Sequence, residues 1–70
     1  MLAQWIGDFV GRMHRHKVTG AQIAEEMDVS REYISMILNG HREPNGIEQR
    51  MNDALDSLLK KQRSQSEVRL

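Results

Sequence analysis

The chain has 70 residues, contains no cysteine, and balances ten Lys and Arg residues against ten Asp and Glu residues. A sequence of this length is expected to form one small domain, and the absence of cysteine excludes a disulfide framework, a thiolate zinc site and a thiol nucleophile. The formal net charge of zero argues against binding nucleic acid through a diffuse positive field, so any such contact must depend on where individual cations lie.

The first segment, residues 1–16, is predicted to be an amphipathic helix. Its apolar residues recur at three- and four-residue steps, which places them on one helical face. They are Leu2, Trp5, Ile6, Phe9, Val10 and Met13. We expect this face to supply part of a core rather than a membrane-surface anchor, because so short a domain needs these residues inside. A basic cluster that contains Arg15 and Lys17 ends the segment.

Neither a secretory signal nor a membrane span is predicted. The apolar residues of the first segment are interrupted by Asp8 and have no basic leader before them. No apolar run is long enough to cross a bilayer. We therefore expect a cytoplasmic protein without a membrane partner.

Two short helices are predicted next. Thr19 and Gln22 have the spacing of a capping box, which indicates a second helix from about Gly20 to Met27. Ser30 is a suitable N-cap for a third helix. Gly40 can end that helix, since glycine readily takes the left-handed conformation of a C-terminal cap.

A fourth helix is predicted after the loop that holds the single proline. It runs from Ile47 to about Lys61, and its apolar stripe consists of Ile47, Met51, Ala54 and Leu58. Leu55 and Leu59 lie beside that stripe. Residues 62–70 have no apolar period and are rich in Ser, Gln and charge, so a polar C-terminal tail that is frayed or disordered is expected. No alternating strand pattern occurs, so the fold class is all-α.

The second and third helices, joined by a short turn, have the outline of a helix-turn-helix. The segment resembles the phage-repressor and Cro-like (XRE) helix-turn-helix family at Ile23-Ala24, Val29-Ser30, Ile34-Ser35 and Gly40. The resemblance implies a small lambda-repressor-like bundle of four helices, or of five as in many family members. It also implies a DNA-binding domain over residues 1–61 and a role in regulating phage, prophage or other mobile-element genes.

Two positions depart from the family pattern. Gly20 stands where the family commonly has a glutamine that braces the third helix, so that bracing contact is not expected here. Asp28 stands where the turn usually has glycine, and Asp tolerates the left-handed conformation better than most residues do.

The exposed face of the third helix is predicted to read DNA bases. Its residues are Arg31, Glu32, Ser35 and Met36. A major groove admits one helix, in which Arg can pair with guanine, Glu can accept from cytosine, and Met can contact a thymine methyl.

Residues around this helix are predicted to contact DNA phosphates, because hydrogen-bond donors and cations suit that role. They are Arg15, Lys17, Thr19, Ser30, Tyr33, Asn39, His41 and Arg42. The partner is therefore expected to be double-stranded DNA.

A homodimer is predicted, since one helix contacts too few bases and a two-fold operator doubles the site. Leu55 and Leu59 are the expected anchors of the dimer interface, because an exposed leucine pair on a small surface indicates an interface. The first helix offers a rival surface at Trp5. The predicted function is a repressor-type transcriptional regulator. The alternative is a helix-turn-helix scaffold that acts by binding a protein partner, as an antitoxin or as an inhibitor of a nucleic-acid enzyme.

Catalysis is not predicted. The serines lack His and Asp partners at a recognisable spacing, and the acids are scattered singly on helix faces. His14, His16 and His41 lack the spacing and the carboxylate that a metal site needs. We therefore expect no enzymatic activity, no cofactor and no bound metal.

Overall fold

The computed structural model describes the backbone of residues 3–68 and the side chains of residues 3–63. Within this range the chain forms the helices α1 (Gln4–His16), α2 (Gly20–Met27), α3 (Arg31–Leu38) and α4 (Ile47–Val68). The predicted all-α fold class is confirmed. Met1 and Leu2, which belong to the predicted first helix, lie outside the described residues. None of the described helices is both long enough and apolar enough to span a membrane.

The capping box predicted for α2 is confirmed. Thr19 Oγ1 accepts a hydrogen bond from the Gln22 backbone N–H at 3.2 Å. Gln22 Oε1 in return accepts one from the Thr19 backbone N–H at 2.8 Å. These two bonds satisfy backbone donors that the first turn of a helix leaves without partners, so α2 begins where its local sequence indicates.

The turn between α2 and α3 depends on Asp28. This residue has φ 59° and ψ 46°, the left-handed conformation that the family pattern fills with glycine. The next N–H, that of Val29, donates to the Ala24 carbonyl at 2.9 Å and closes the end of α2. Ser30 Oγ then accepts from the Tyr33 N–H at 3.1 Å and starts α3. The direction of α3 relative to α2 is therefore set within three residues.

One apolar core lies where the helices meet. Its buried cluster consists of Phe9, Met13, Val18, Ile23, Ala24, Ile34, Ile37, Ile47, Met51 and Leu55. Val18 lies in the connection between α1 and α2, so helical periodicity gave no reason to expect it there. Ala24 is 2% exposed and Ile34 is 1% exposed. Because Ala24 is small, α3 can approach α2 closely at this point.

Polar contacts join α4 to its two neighbours. On one side Arg12 donates to Asn52 Oδ1 and to Asp56 Oδ1, each at 2.8 Å. On the other side Glu26 accepts from Ser57 Oγ at 2.9 Å and from Lys61 Nζ at 2.7 Å. Helix α4 is thus covered by α1 on one flank and by α2 on the other.

This double coverage corrects the position expected for Leu55. Leu55 is 0% exposed and belongs to the core, so it is not half of an exposed leucine pair. Leu59 is half-buried and packs against the core, as does Leu58. The exposed positions of α4 up to residue 63 are all polar, namely Glu48, Gln49, Arg50, Asp53, Asp56, Lys60, Lys61 and Arg63. The buried arc of α4 is wider than a single stripe because two helices cover it.

The end of α4 also differs from the expectation. The helix continues to Val68 instead of stopping near Lys61, and residues 69–70 lie outside the described part of the chain. No Gly or Pro occurs between residues 62 and 68 to break the helix. In addition, Gln62 Nε2 donates to the carbonyl of His16 at 3.4 Å, which attaches this stretch to α1.

Candidate nucleic-acid interface

Helix α3 has a buried side and an exposed side. Ile34 and Ile37 are 1% and 0% exposed and face the core. The opposite side, which we call the α3 face, consists of Arg31, Glu32, Ser35 and Met36, and all four residues are exposed. Met36 is a large hydrophobic residue, and 37% of it is exposed to solvent. The structure therefore brings the four predicted base-reading residues together on one accessible surface.

Ser35 and Asn39 are joined on this surface. Asn39 Nδ2 donates to the Ser35 carbonyl at 2.8 Å and to Ser35 Oγ at 3.2 Å. Because Ser35 Oγ acts as an acceptor, its own hydroxyl proton remains available for a further partner. The structure places Asn39, predicted as a phosphate contact, against a predicted base-reading residue.

Tyr33 and Arg42 form a second pair at the flank of α3. The Arg42 guanidinium carbon lies 5.8 Å from the centre of the Tyr33 ring, within the range of a cation–π contact. Tyr33 is half-buried and packs against the core, whereas Arg42 is exposed. An anchored ring thus restrains a cation that lies in the loop after α3.

The backbone after α3 is also held in place. The N–H of His41 donates to the Met36 carbonyl at 2.8 Å, and Gly40 has a φ of 79°. The left-handed glycine ends α3 as its sequence indicates. The side chain of His41 is exposed beside this turn.

The first turn of α2 lies next to the α3 face. Thr19 and Gly20 line one groove together with Arg31, Ser35 and Asn39. The Thr19 backbone N–H and Oγ1 already take part in the capping box. The other backbone N–H groups in the first turn of α2 are a favourable position for an anion, because they and the positive end of the helix dipole point there.

Gly20 leaves this groove open without causing a packing defect. A Cβ at this position would meet Ile34 Cγ2 at 3.9 Å, which is ordinary van der Waals contact. A side chain would therefore fit here. The bracing contact is absent because residue 20 is glycine, and not because the backbone is distorted there.

The basic end of α1 adjoins the same turn. Lys17 takes the left-handed conformation (φ 58°) that ends α1, and it lines a groove with Thr19, Gly20 and Leu38. Arg15 is exposed one residue before His16. Ser30, the remaining predicted phosphate contact, uses its Oγ to cap α3 and keeps its hydroxyl proton for another acceptor.

Within the described side chains, no ion pair involves the cations of this surface. The ion pairs found among residues 3–63 are Arg12–Asp56 and Lys61–Glu26, and neither touches the α3 face. Hydrogen bonds from Lys61 and Ser57 lower the pKa of Glu26. Among the same residues no group of three His, Asp or Glu side chains is arranged to hold a metal ion.

An exposed, capped helix held at a set angle by a second helix defines a DNA-binding helix-turn-helix domain. The comparison with protein families agrees: a family model described as helix-turn-helix matches residues 12–48. The chain belongs to the XRE or Cro-like helix-turn-helix family and is a DNA-binding regulator of that class. The family is regulatory rather than typically enzymatic. No curated protein and no solved structure matches the chain.

Two further cations were not singled out by sequence reasoning. Lys60 and Arg63 lie on α4 close to the contact between Gln62 and His16. Residues 16 and 62 are far apart in sequence, so no local pattern could have shown that this part of α4 reaches the end of α1.

Proposed function

We propose that the chain is a repressor-type transcriptional regulator that places α3 in the major groove of a two-fold-symmetric operator. The observation that carries this proposal is the exposure of Arg31, Glu32, Ser35 and Met36 on one face of a helix whose other face is buried. A protein bound at an operator represses transcription by restricting access to the promoter.

Base recognition is assigned to the α3 face. Arg31 opens α3 and can form a bidentate contact with guanine, and Glu32 beside it can accept from the amino group of cytosine. Met36 offers an apolar surface to a thymine methyl group. The pairing of Ser35 with Asn39 supports a fourth, hydrogen-bonding contact from the same face.

Phosphate contacts are assigned to the groups that surround α3. The first turn of α2 at Thr19 and the N-cap of α3 at Ser30 supply hydrogen-bond donors, and Arg42 and His41 supply donors after α3. Lys17 lies beside the first turn of α2, and Arg15 lies close to Lys17 in the chain. This arrangement favours a phosphate backbone that runs past both ends of α3.

We propose that two copies bind the operator together, because one helix contacts too few base pairs for selective binding. Leu59 is the anchor on α4 that we retain, since Leu55 belongs to the core. Trp5, half-exposed at the start of α1, is the rival anchor. Because the exposed positions of α4 up to residue 63 are polar, we expect pairing to be stronger on DNA than in free solution.

The experiment for DNA reading selects bound sequences from a random duplex library and then titrates the selected and random duplexes at two salt concentrations. We expect a two-fold-symmetric preferred sequence and an affinity that falls steeply with salt. Equal affinity for selected and random duplexes would rule out sequence-specific regulation.

Sedimentation of the complex tests the dimer. We expect two copies of the wild type on the symmetric duplex. Leu59→Glu should leave one weakly bound copy, whereas the control Gln49→Glu, at an exposed position of α4, should keep two. A wild type that remains monomeric on this DNA would overturn the pairing.

The alternative function is a scaffold that binds a protein, such as a toxin or a nucleic-acid enzyme. It is favoured by the zero net charge and by Gly20, which omits a bracing side chain beside α3. The same titration separates the two functions, because a protein-binding scaffold would show neither sequence preference nor a steep salt dependence.

A further inference from the structure

The last turns of α4 with described side chains lie against the end of α1. Gln62 is half-buried, and its Nε2 donates to the His16 carbonyl at 3.4 Å. This contact joins two segments that are separated by 46 positions in the sequence. The cations that neighbour Gln62 on α4 therefore belong to the same end of the molecule as those that neighbour His16 at the end of α1.

Among the residues with described side chains, four exposed cations occur at this end. We call them the basic end: Arg15, Lys17, Lys60 and Arg63, all of which are exposed. Two carboxylates on the flanks of α4 already pair with other cations: Asp56 pairs with Arg12, and Glu26 pairs with Lys61. The basic end therefore presents positive charge to solvent although the whole chain is formally neutral.

Acidic residues lie at the opposite end of α1 and α4. Glu43 and Glu48 line a groove with Trp5, near the first residues of both helices. The order of the α1–α4 contacts, from Trp5 beside Glu48 to His16 beside Gln62, means that the two helices run in the same direction. Exposed acids thus lie near the first residues of α1 and α4, and the basic end lies near the last residues with described side chains.

The basic end is continuous with the candidate interface. Lys17 shares one groove with Thr19 and Gly20. These two residues share a second groove with Ser35 and Asn39 of α3. A surface path therefore leads from the α3 face across the first turn of α2 to the basic end.

We propose that the basic end binds the DNA backbone beyond the base pairs that α3 contacts, with Lys60 and Arg63 of α4 as phosphate-binding residues. This inference rests on the proposed function and extends it to the part of α4 around the boundary of the predicted domain at residue 61. Duplex DNA carries about one negative charge per 1.7 Å of its axis, so a cationic surface adjoining the site meets phosphates on a longer duplex. Specificity remains with α3, and the basic end adds affinity for any sequence.

The test compares Arg63→Gln and Lys60→Gln with Arg50→Gln. Arg50 is a matched control because it is an exposed cation on α4 that lies beside Met27 and Asp53, away from the basic end. Binding is measured as a function of salt on a long random-sequence duplex and on a duplex trimmed to the selected site. Arg63→Lys, which keeps the charge, serves as the rescue variant.

We expect Arg63→Gln and Lys60→Gln each to make the plot of log affinity against log salt shallower by about 0.9 on the long duplex. On the trimmed duplex, these variants should behave like Arg50→Gln. On the long duplex, Arg63→Lys should restore the wild-type slope. Slopes equal to that of Arg50→Gln on the long duplex would overturn this inference and leave α3 reading intact. A wild type without salt-dependent binding to either duplex would instead overturn the proposed function itself.

Discussion

Asn39 holds Ser35 through two hydrogen bonds from one amide group, at 2.8 Å to the carbonyl and 3.2 Å to Oγ. The two residues are one helical turn apart at the exposed end of α3. Since Ser35 Oγ accepts a hydrogen bond from Asn39, its own O–H remains available to donate to another group. Acceptors that suit such a donor in the major groove are guanine N7 and O6, adenine N7 and thymine O4.

Ser35→Ala and Asn39→Ala are expected to relax the base preference at the same base pair. Each should weaken operator binding by about 0.5–1.5 kcal/mol, and the double variant should lose less than the sum because both changes remove one unit. Selection of bound sequences and a double-mutant cycle measure this. The control Asn45→Ala, in the exposed loop before α4, should change neither quantity. Additive losses at two different base pairs would contradict the coupling.

Arg31→Ala is expected to reduce operator affinity by about 1–3 kcal/mol, with relaxed preference at one base pair per half-site, because a bidentate contact with guanine is lost. Competition between operator and random duplex measures the effect. Arg31 is exposed at the first position of α3, so the melting temperature should change little. An unchanged ratio of operator to random binding would remove Arg31 from the base-reading set.

Arg42→Ala should weaken binding evenly across sequences and make the salt dependence shallower, since the lost contact is to phosphate. Tyr33 positions Arg42, with the guanidinium 5.8 Å from the ring centre. Tyr33→Phe should therefore retain most of the affinity, whereas Tyr33→Leu should reproduce part of the Arg42→Ala slope. If Tyr33→Phe loses as much as Tyr33→Leu, the Tyr33 hydroxyl, rather than its ring, makes the contact.

Leu55→Ala is expected to cost about 2–5 kcal/mol of folding free energy, the usual range for a leucine removed from a core. Leu55 is 0% exposed, whereas Leu59 is only half-buried, so Leu59→Ala should cost less. Urea unfolding of the two variants under the same conditions makes the comparison. Equal costs would mean that the two leucines are equally covered.

The stability of the fold is expected to depend on the ionisation of Glu26. Hydrogen bonds from Lys61 and Ser57, aided by the charge of Lys61, lower the pKa of Glu26. A carboxyl group with a lower pKa in the folded state adds stability above its unfolded pKa, and this stability is lost as the pH falls through the folded pKa. The contribution is therefore present at neutral pH and disappears in acid.

Glu26→Gln should remove this part of the acid dependence, while Glu25→Gln, at the neighbouring exposed position of α2, should preserve it. Urea unfolding at neutral pH and at acidic pH values below the ordinary pKa of a glutamate side chain measures the difference. The same acid dependence in Glu26→Gln as in the wild type would show that the contact with Lys61 does not stabilise the folded state.

Local sequence was sufficient to predict α2, α3 and the turn between them. Thr19 and Gln22 lie within one helical turn of each other, and Ser30 caps α3 from the residue just before it. Asp28 takes the left-handed conformation within the same short segment. Signals of this kind act between neighbours in the chain, so they are legible before any tertiary contact is known. The exposed α3 face followed from the same periodicity.

By itself, then, the sequence determined the fold class, the helix-turn-helix and the family, because each is encoded by caps, turns and periodicity over a few residues. Tertiary structure alone decided which leucines of α4 are buried, since this depends on the directions from which α1 and α2 approach that helix. It also decided that α4 reaches the end of α1, because Gln62 contacts the carbonyl of His16. Short-range periodicity shows which face of a helix is apolar, but it does not show which other helix covers that face.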